Sequence, residues 1–382
     1  MKLVYYLPSL EAPGGLERII TFKAGYFAEQ GNDVTILTSE LGDRKPYFPL
    51  SPKVKHIDLG IAFDYPYNQS HFTKLLKYPF RYRCFQKRFT KTLRKLSPDI
   101  TISTLRRELN FINKINDGSI KIGEFHVTRH AYGAETLASG NPVLKWLKVQ
   151  WNKKFVHNLS QLKQVILLTH EEAGFWPELS NISVIPNPII TPLNKKSDGK
   201  EKSVIAVGRY APQKGFDRLI DSWALVIREH PDWMLRIYGD GILRTELQTQ
   251  IERLGLTEKC QLEHTVNNIA DRYSESSIFV LSSRYEGFGM VITEAMGCGV
   301  PPVSFTCPCG PRDIINDGIN GLLVEDGNIE DMAEKISFLI ENVDRRLLMG
   351  QQAYEDAQKY KMENIAKQWE ELFQSITKKD DV

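Results

Sequence analysis

The sequence predicts an α/β protein of two domains, each a parallel sheet covered by helices. Short apolar runs of strand character alternate with amphipathic helical stretches, and such alternation builds parallel sheets with helices on their faces. The pattern runs once, stops at a polar linker, and starts again. With 382 residues the chain can supply two cores of ordinary size.

In the first half, residues 3–7 form the opening strand, and a helix from about residue 16 to 30 follows until Gly31 stops it. Residues 34–37, 100–103, 121–123 and 164–168 read as further strands by their apolar character. The stretch Lys195-Lys196-Ser197-Asp198-Gly199-Lys200-Glu201-Lys202 has no apolar side chain, and the domain boundary falls within residues 189–202. Residues 203–207, 233–238 and 278–281 are strands of the second domain. Near the end, Ile365, Trp369, Leu372, Phe373 and Ile376 recur at helical spacing, so one stripe of that helix must dock on another surface. The resulting units are 1–190, 191–360 and a terminal helix within 361–382.

Charged residues are 25% and hydrophobic ones 42% of the chain, as in soluble globular proteins. A net charge of +2 argues against a nucleic-acid footprint over the whole surface. No window reaches the roughly 18 apolar residues of a membrane span, and the opening segment reads as a strand rather than a signal peptide. Five cysteines without a repeated spacing predict reduced thiols and a cytoplasmic location. The close pair Cys307 and Cys309 lacks nearby metal-ligand partners and reads as loop thiols.

The most informative stretch is Glu286-Gly287-Phe288-Gly289-Met290-Val291-Ile292-Thr293-Glu294. An apolar strand precedes it and its second half can be helical. The amides of residues 287–291 would then face outward, as a helix amino terminus does toward an anion. Two carboxylates beside an anion site require a ligand with hydroxyls as well as phosphate, because ionised carboxylates only accept hydrogen bonds. A nucleotide sugar has both. Arg209 and Lys214 follow another strand, on either side of Pro212. Arg209 brings a planar fork for phosphate oxygens and Lys214 a compact point charge, so both can hold a diphosphate. A solvated basic turn is the plain alternative. For the glutamates the plain alternative is a carboxylate at a helix terminus, which leaves the second one unexplained.

Six segments in register resemble the retaining glycosyltransferases of family four, which have the GT-B fold. They are Pro13-Gly14-Gly15-Leu16-Glu17-Arg18, Val184-Ile185-Pro186-Asn187-Pro188, Val207-Gly208-Arg209 with Lys214-Gly215, and Tyr238-Gly239-Asp240-Gly241. The paired glutamates and Asp317-Gly318-Ile319-Asn320-Gly321-Leu322-Leu323-Val324 complete the set. The resemblance implies two Rossmann-like domains whose parallel sheets face a central cleft, with the last helix crossing back to the first domain. It implies that Gly14 and Gly15 approach the donor phosphate from the opposite domain. Glu294 would accept from the ribose and Glu286 from the transferred sugar. Gly208, Gly287, Phe288, Gly289, Met290 and Val291 would complete the donor site. His126 is the candidate histidine touching that sugar, with His130 its competitor; Arg129, like His130, could serve the acceptor.

Two departures stand out: His264-Thr265-Val266 where the family often has a glycine, and Cys309-Gly310-Pro311-Arg312-Asp313 in place of a glycine-rich loop ending in Pro-Glu. Residues 65–98 hold nine Lys or Arg and no acid, interleaved with Tyr78, Phe80, Tyr82, Phe85 and Phe89. A solvated face and a peripheral contact with an anionic membrane both fit this composition; nucleic acid fits it less well.

The expected function is therefore retaining transfer of a hexose or N-acetylhexosamine, from a UDP-linked donor, to a saccharide or lipid-linked acceptor in polysaccharide or lipopolysaccharide biosynthesis. No Asp-x-Asp metal motif occurs, so Arg209, Lys214 and the helix amides are expected to replace a cation, with no cofactor. Rival expectations are a non-catalytic glycan-binding protein of this fold and a nucleotide-sugar epimerase.

Overall fold

The computed structural model describes residues 1–61, 63, 71–129, 142–191 and 195–377, with backbone alone over 71–75 and 142–144. The first domain runs β1 (Lys2–Tyr6), α1 (Gly15–Glu29), β2 (Asp33–Thr38), β3 (Lys55–Asp58), α2 (His71–Leu96), β4 (Ile100–Ser103), β5 (Ile120–Glu124), α3 (Pro142–Ser160), β6 (Gln164–Leu167), α4 (His170–Gly174) and β7 (Ile182–Val184). Its strands pair in parallel in the order β3-β2-β1-β4-β5-β6-β7.

The second domain runs β8 (Ser203–Val207), α5 (Phe216–Glu229), β9 (Met234–Tyr238), α6 (Arg244–Arg253), β10 (Cys260–Glu263), α7 (Ile269–Ser274), β11 (Ile278–Leu281), α8 (Met290–Gly297), β12 (Pro302–Phe305), α9 (Pro311–Ile314), β13 (Leu322–Val324), α10 (Ile329–Glu341) and α11 (Val343–Ala357). This sheet is also parallel, ordered β10-β9-β8-β11-β12-β13. Helix α12 (Met362–Thr377) ends the described chain. The architecture is GT-B.

Strand order positions the site. Each sheet reverses direction at one place, between β1 and β4 in the first and between β8 and β11 in the second. Loops leaving the carboxyl ends of strands diverge at such a point and open a crevice. The segments 13–18, 104–107, 208–214 and 284–289 leave those four strands.

The stripe of α12 docks on the first domain. Ile365, Ala366, Trp369 and Phe373 join the core of β1, β2 and α1, with the rings of Phe27 and Phe373 5.7 Å apart. Deleting a ring as buried as Trp369 costs about 3–5 kcal/mol, which is ample to hold the terminal helix across the domain boundary. Helix α2 corrects part of the sequence reading. Phe85 and Phe89 are fully buried against Tyr6 and Phe111, and thus form the helix's core face rather than an outward aromatic set. Tyr78 and Phe80 remain outside, at 43% and 76% exposure. Strands β3 and β7 went unpredicted because they are short, partly exposed edges without a continuous apolar run.

Candidate active site

The two crevices face each other across a cleft of about 680 Å³. Gly14, Gly15, Arg18, Arg106 and His126 line it from the first domain. Gly208, Arg209, Lys214, the run from Glu286 to Val291, and Glu294 line it from the second.

Lys214 closes a short 3-10 turn after β8, and Gly215 ends that turn at φ 61°. Only glycine fits there, because a Cβ would also lie 2.2 Å from the Ser282 carbonyl oxygen. The turn sends the Lys214 stem across Gly208 and brings Nζ within 2.6 Å of Glu286 Oε1. Ser283 Oγ donates to the same oxygen at 2.6 Å. A lysine on one loop and a glutamate on the next are thus joined where β8 and β11 end. Arg209, beside them, is exposed and its guanidinium has no hydrogen-bond partner among the described residues.

Glu294 lies in the second turn of α8, with its side chain 4% exposed. Its Oε1 accepts from Thr191 Oγ1 at 2.6 Å and from Arg18 Nη1 at 3.1 Å; Tyr273 Oη donates to Oε2 at 3.5 Å. Arg18 belongs to α1, so this ion pair crosses the cleft. Between the two glutamates, Gly289 caps α8 at φ 87° and its first residues line the cavity.

The first domain contributes Glu17, Arg106 and His126. Burial raises the Glu17 carboxyl above its usual range, against the opposing pull of its own backbone amide and then of Arg106, His126 and Arg209. Arg106 follows Leu105, a non-glycine residue at φ 59°, a backbone state that costs about 1–3 kcal/mol and persists only where neighbours enforce it. His126 Nε2 lies 3.2 Å from Glu124 Oε1. The backbones of the domains touch here: a Cβ on Gly287 would sit 2.6 Å from the His126 carbonyl oxygen.

Arg129 is placed elsewhere. Its fork meets Glu178 at 2.8 and 2.9 Å and stacks 4.5 Å over Trp176, outside the cleft lining. Its partners are first-domain groups that spacing alone does not reveal. His130 lies outside the described residues. The two departing loops are ordered by contacts of their own. Asp240 accepts from the Thr265 amide at 2.9 Å and pairs with His264 at 2.6 Å, and these two bonds hold its carboxyl down at about 2. Asp313 caps α4 from the other domain, accepting from the His170 and Glu171 amides at 2.6 and 3.2 Å, while Arg312 pairs with Glu171 at 2.6 Å.

Several residues in or beside the cleft had no role in the sequence reading. Arg18 sat inside a quoted motif, but its partner is 276 positions away. Arg106 carries no motif, and Thr191 and Ser283 are ordinary hydroxyls by sequence. Only the fold shows what they touch.

A cleft between two Rossmann-like domains, with cations and carboxylates on facing loops, is the arrangement of the GT-B glycosyltransferase fold. Residues 192–356, which make up most of the second domain, match the family described as glycosyl transferases group 1. It is 27% identical to an uncharacterized glycosyltransferase of Haemophilus influenzae, over 96% of this chain and 98% of that one. It is 26% identical to the amylovoran biosynthesis glycosyltransferase AmsD of Erwinia amylovora, over 97% and 99%. The solved structure of Anabaena HepE in complex with UDP superposes with a TM-score of 0.75 at 19% identity, over 98% of this chain and all of that one.

Proposed function

We propose that the chain transfers a hexose or N-acetylhexosamine from a UDP-sugar to a growing polysaccharide or lipid-linked saccharide, with retention of configuration. The observation that carries this is the Lys214–Glu286 pair at the ends of β8 and β11, beside Arg209, whose guanidinium has no hydrogen-bond partner among the described residues. Arg209, Lys214 and the first amides of α8 hold the diphosphate and take up the charge that grows as the sugar bond breaks. Glu286 and Glu294 accept hydrogen bonds from the sugar and ribose hydroxyls, Arg18 releasing Glu294 as the ribose enters. The departing phosphate removes the acceptor's proton on the same face. The reading draws support from AmsD's part in amylovoran biosynthesis and from UDP in the HepE structure.

Incubating the protein with a panel of UDP- and GDP-sugars tests this. Free UDP should appear only when acceptor is present, and EDTA should leave the rate unchanged because protein cations replace the metal. A divalent-ion requirement restored by adding the ion back would refute the charge assignment. Acceptor-independent conversion of one UDP-sugar into its epimer would favour the epimerase, and binding without turnover a glycan-binding protein.

The acceptor side faces the inner leaflet of the cytoplasmic membrane in this reading. Helices α2 and α3 expose Leu76, Phe80, Trp146 and Leu147 at 67%, 76%, 60% and 49%. Between them lies a groove of about 810 Å³, in which Tyr78 stacks on Tyr82 and Trp151 on Phe155; Arg106 lines both this groove and the cleft. Among the described residues no helix is long and apolar enough to cross a membrane. Contact therefore rests on basic side chains and partly inserted rings. Each basic residue near an anionic surface contributes about 1 kcal/mol. Changing Lys87, Lys91 and Arg94 together to glutamine should thus weaken binding to phosphatidylglycerol vesicles on the order of 100-fold at low salt. Arg88 is left intact because it donates to the carbonyls of Leu59 and Gly60. Wild-type protein remaining in the supernatant at both low and high salt would rule the membrane contact out.

A further inference from the structure

Behind the cleft, the core of the first domain contains charges that stability alone does not explain. Lys23 of α1 pairs through Nζ with Glu124 Oε1, the last residue of β5, and each side chain is 1% exposed. Lys23 Nζ also lies 4.1 Å over the ring of Trp369, from the terminal helix, and 5.8 Å from the ring of Tyr5. The pair is poorly satisfied. A lysine offers three donors, yet Glu124 Oε1 is its only hydrogen-bond acceptor among the described residues. Glu124 Oε2, the Tyr5 hydroxyl and His126 Nε2 are buried without a hydrogen-bond partner among them. Taking two charges out of water often costs more than their attraction returns, and apolar residues of like volume serve a core as well or better.

Position supplies the missing reason. The same Glu124 Oε1 lies 3.2 Å from His126 Nε2, and the His126 ring, 7% exposed, lines the cleft. We propose that Lys23 and Glu124 are positioning residues for His126, and that Trp369 shields them from water; this rests on the cleft being the transferase site. A carboxylate 3.2 Å from Nε2 favours a proton there and leaves Nδ1 its lone pair, so charge proximity rather than an aligned hydrogen bond sets the tautomer. That works only while Glu124 stays ionised. Burial alone would raise its carboxyl, but Lys23 and His126 bring it down to about 2. The Trp369 ring covers the ammonium on its open side, an attraction that strengthens when desolvated. The return of α12 to the first domain thereby covers the pair behind the cleft.

Two variants separate positioning from packing. In Lys23→Met with Glu124→Leu, both charges are replaced by apolar groups of similar volume. Its Tm should equal or exceed that of wild type. Its kcat should nevertheless fall on the order of 100-fold, the effect of a misplaced catalytic group, with donor KM within about twofold of wild type. Glu124→Gln keeps Lys23 and should show the same kcat loss. In 15N spectra of histidine-labelled protein, the His126 signals should leave the Nε2-protonated pattern in both variants. Wild-type kcat with unchanged His126 signals in either folded variant would show the pair to be structural only. If wild type itself turns over no donor, the transferase reading fails, and the His126 signals still decide whether the pair sets the tautomer.

Discussion

Arg209→Ala is expected to lower turnover on the order of a thousandfold, equivalent to about 4 kcal/mol of transition-state stabilisation. Folding should be unaffected, because the side chain is exposed and unpartnered among the described residues. Lys214→Ala should cost as much in turnover, but its effect on stability differs. Lys214 Nζ is 2.6 Å from a Glu286 carboxylate that is 7% exposed, so removing it leaves a largely buried charge with Ser283 as its remaining side-chain partner. A lower Tm should accompany that variant, and its kcat must be referred to folded protein. Steady-state rates with saturating donor decide the matter. Near-normal turnover in both variants would overturn the assignment of the phosphate site.

Gly287→Ala should also cost about two orders of magnitude in turnover. The added Cβ would meet the His126 carbonyl oxygen at 2.6 Å and its carbon at 3.3 Å, both of them backbone atoms of the opposite domain. No flexible side chain can yield there, so the loop or the domain contact must shift, carrying Glu286 and the start of α8 with it. Each domain's own core is untouched, and thermal unfolding should change little. Wild-type kcat would mean that the two backbones can part without disturbing the site.

These two expectations were not equally legible in the sequence. Arg209 and Lys214 stand out because a strand, a turn and two cations lie within one short segment. The same holds for the run from Glu286 to Glu294, whose glycines and apolar flanks mark a strand, a loop and a helix start. By contrast, nothing near Gly287 indicates that His126 faces it. Phe85 and Phe89 mislead for a related reason. Among lysines and arginines they resemble a surface patch, yet their spacing of one helical turn puts both against Tyr6 and Phe111 in the core. Arg129, a candidate acceptor contact, pairs with Glu178, a partner that its local sequence does not reveal.

Apolar periodicity, turn residues and linker composition depend on near neighbours along the chain. Those alone predicted two parallel α/β domains, which the two parallel sheets bear out, together with a boundary between them and loops suited to a diphosphate. Pairings at long sequence separation depend on strand order and on the packing of one domain against the other. Lys214 meets Glu286 across 72 positions, Lys23 meets Glu124 across 101, and Arg18 meets Glu294 across 276. The first arises where two neighbouring strands of one sheet end, the second from a helix packed on its own sheet, and the third because loops of the two domains face each other across the cleft. No local pattern encodes that approach.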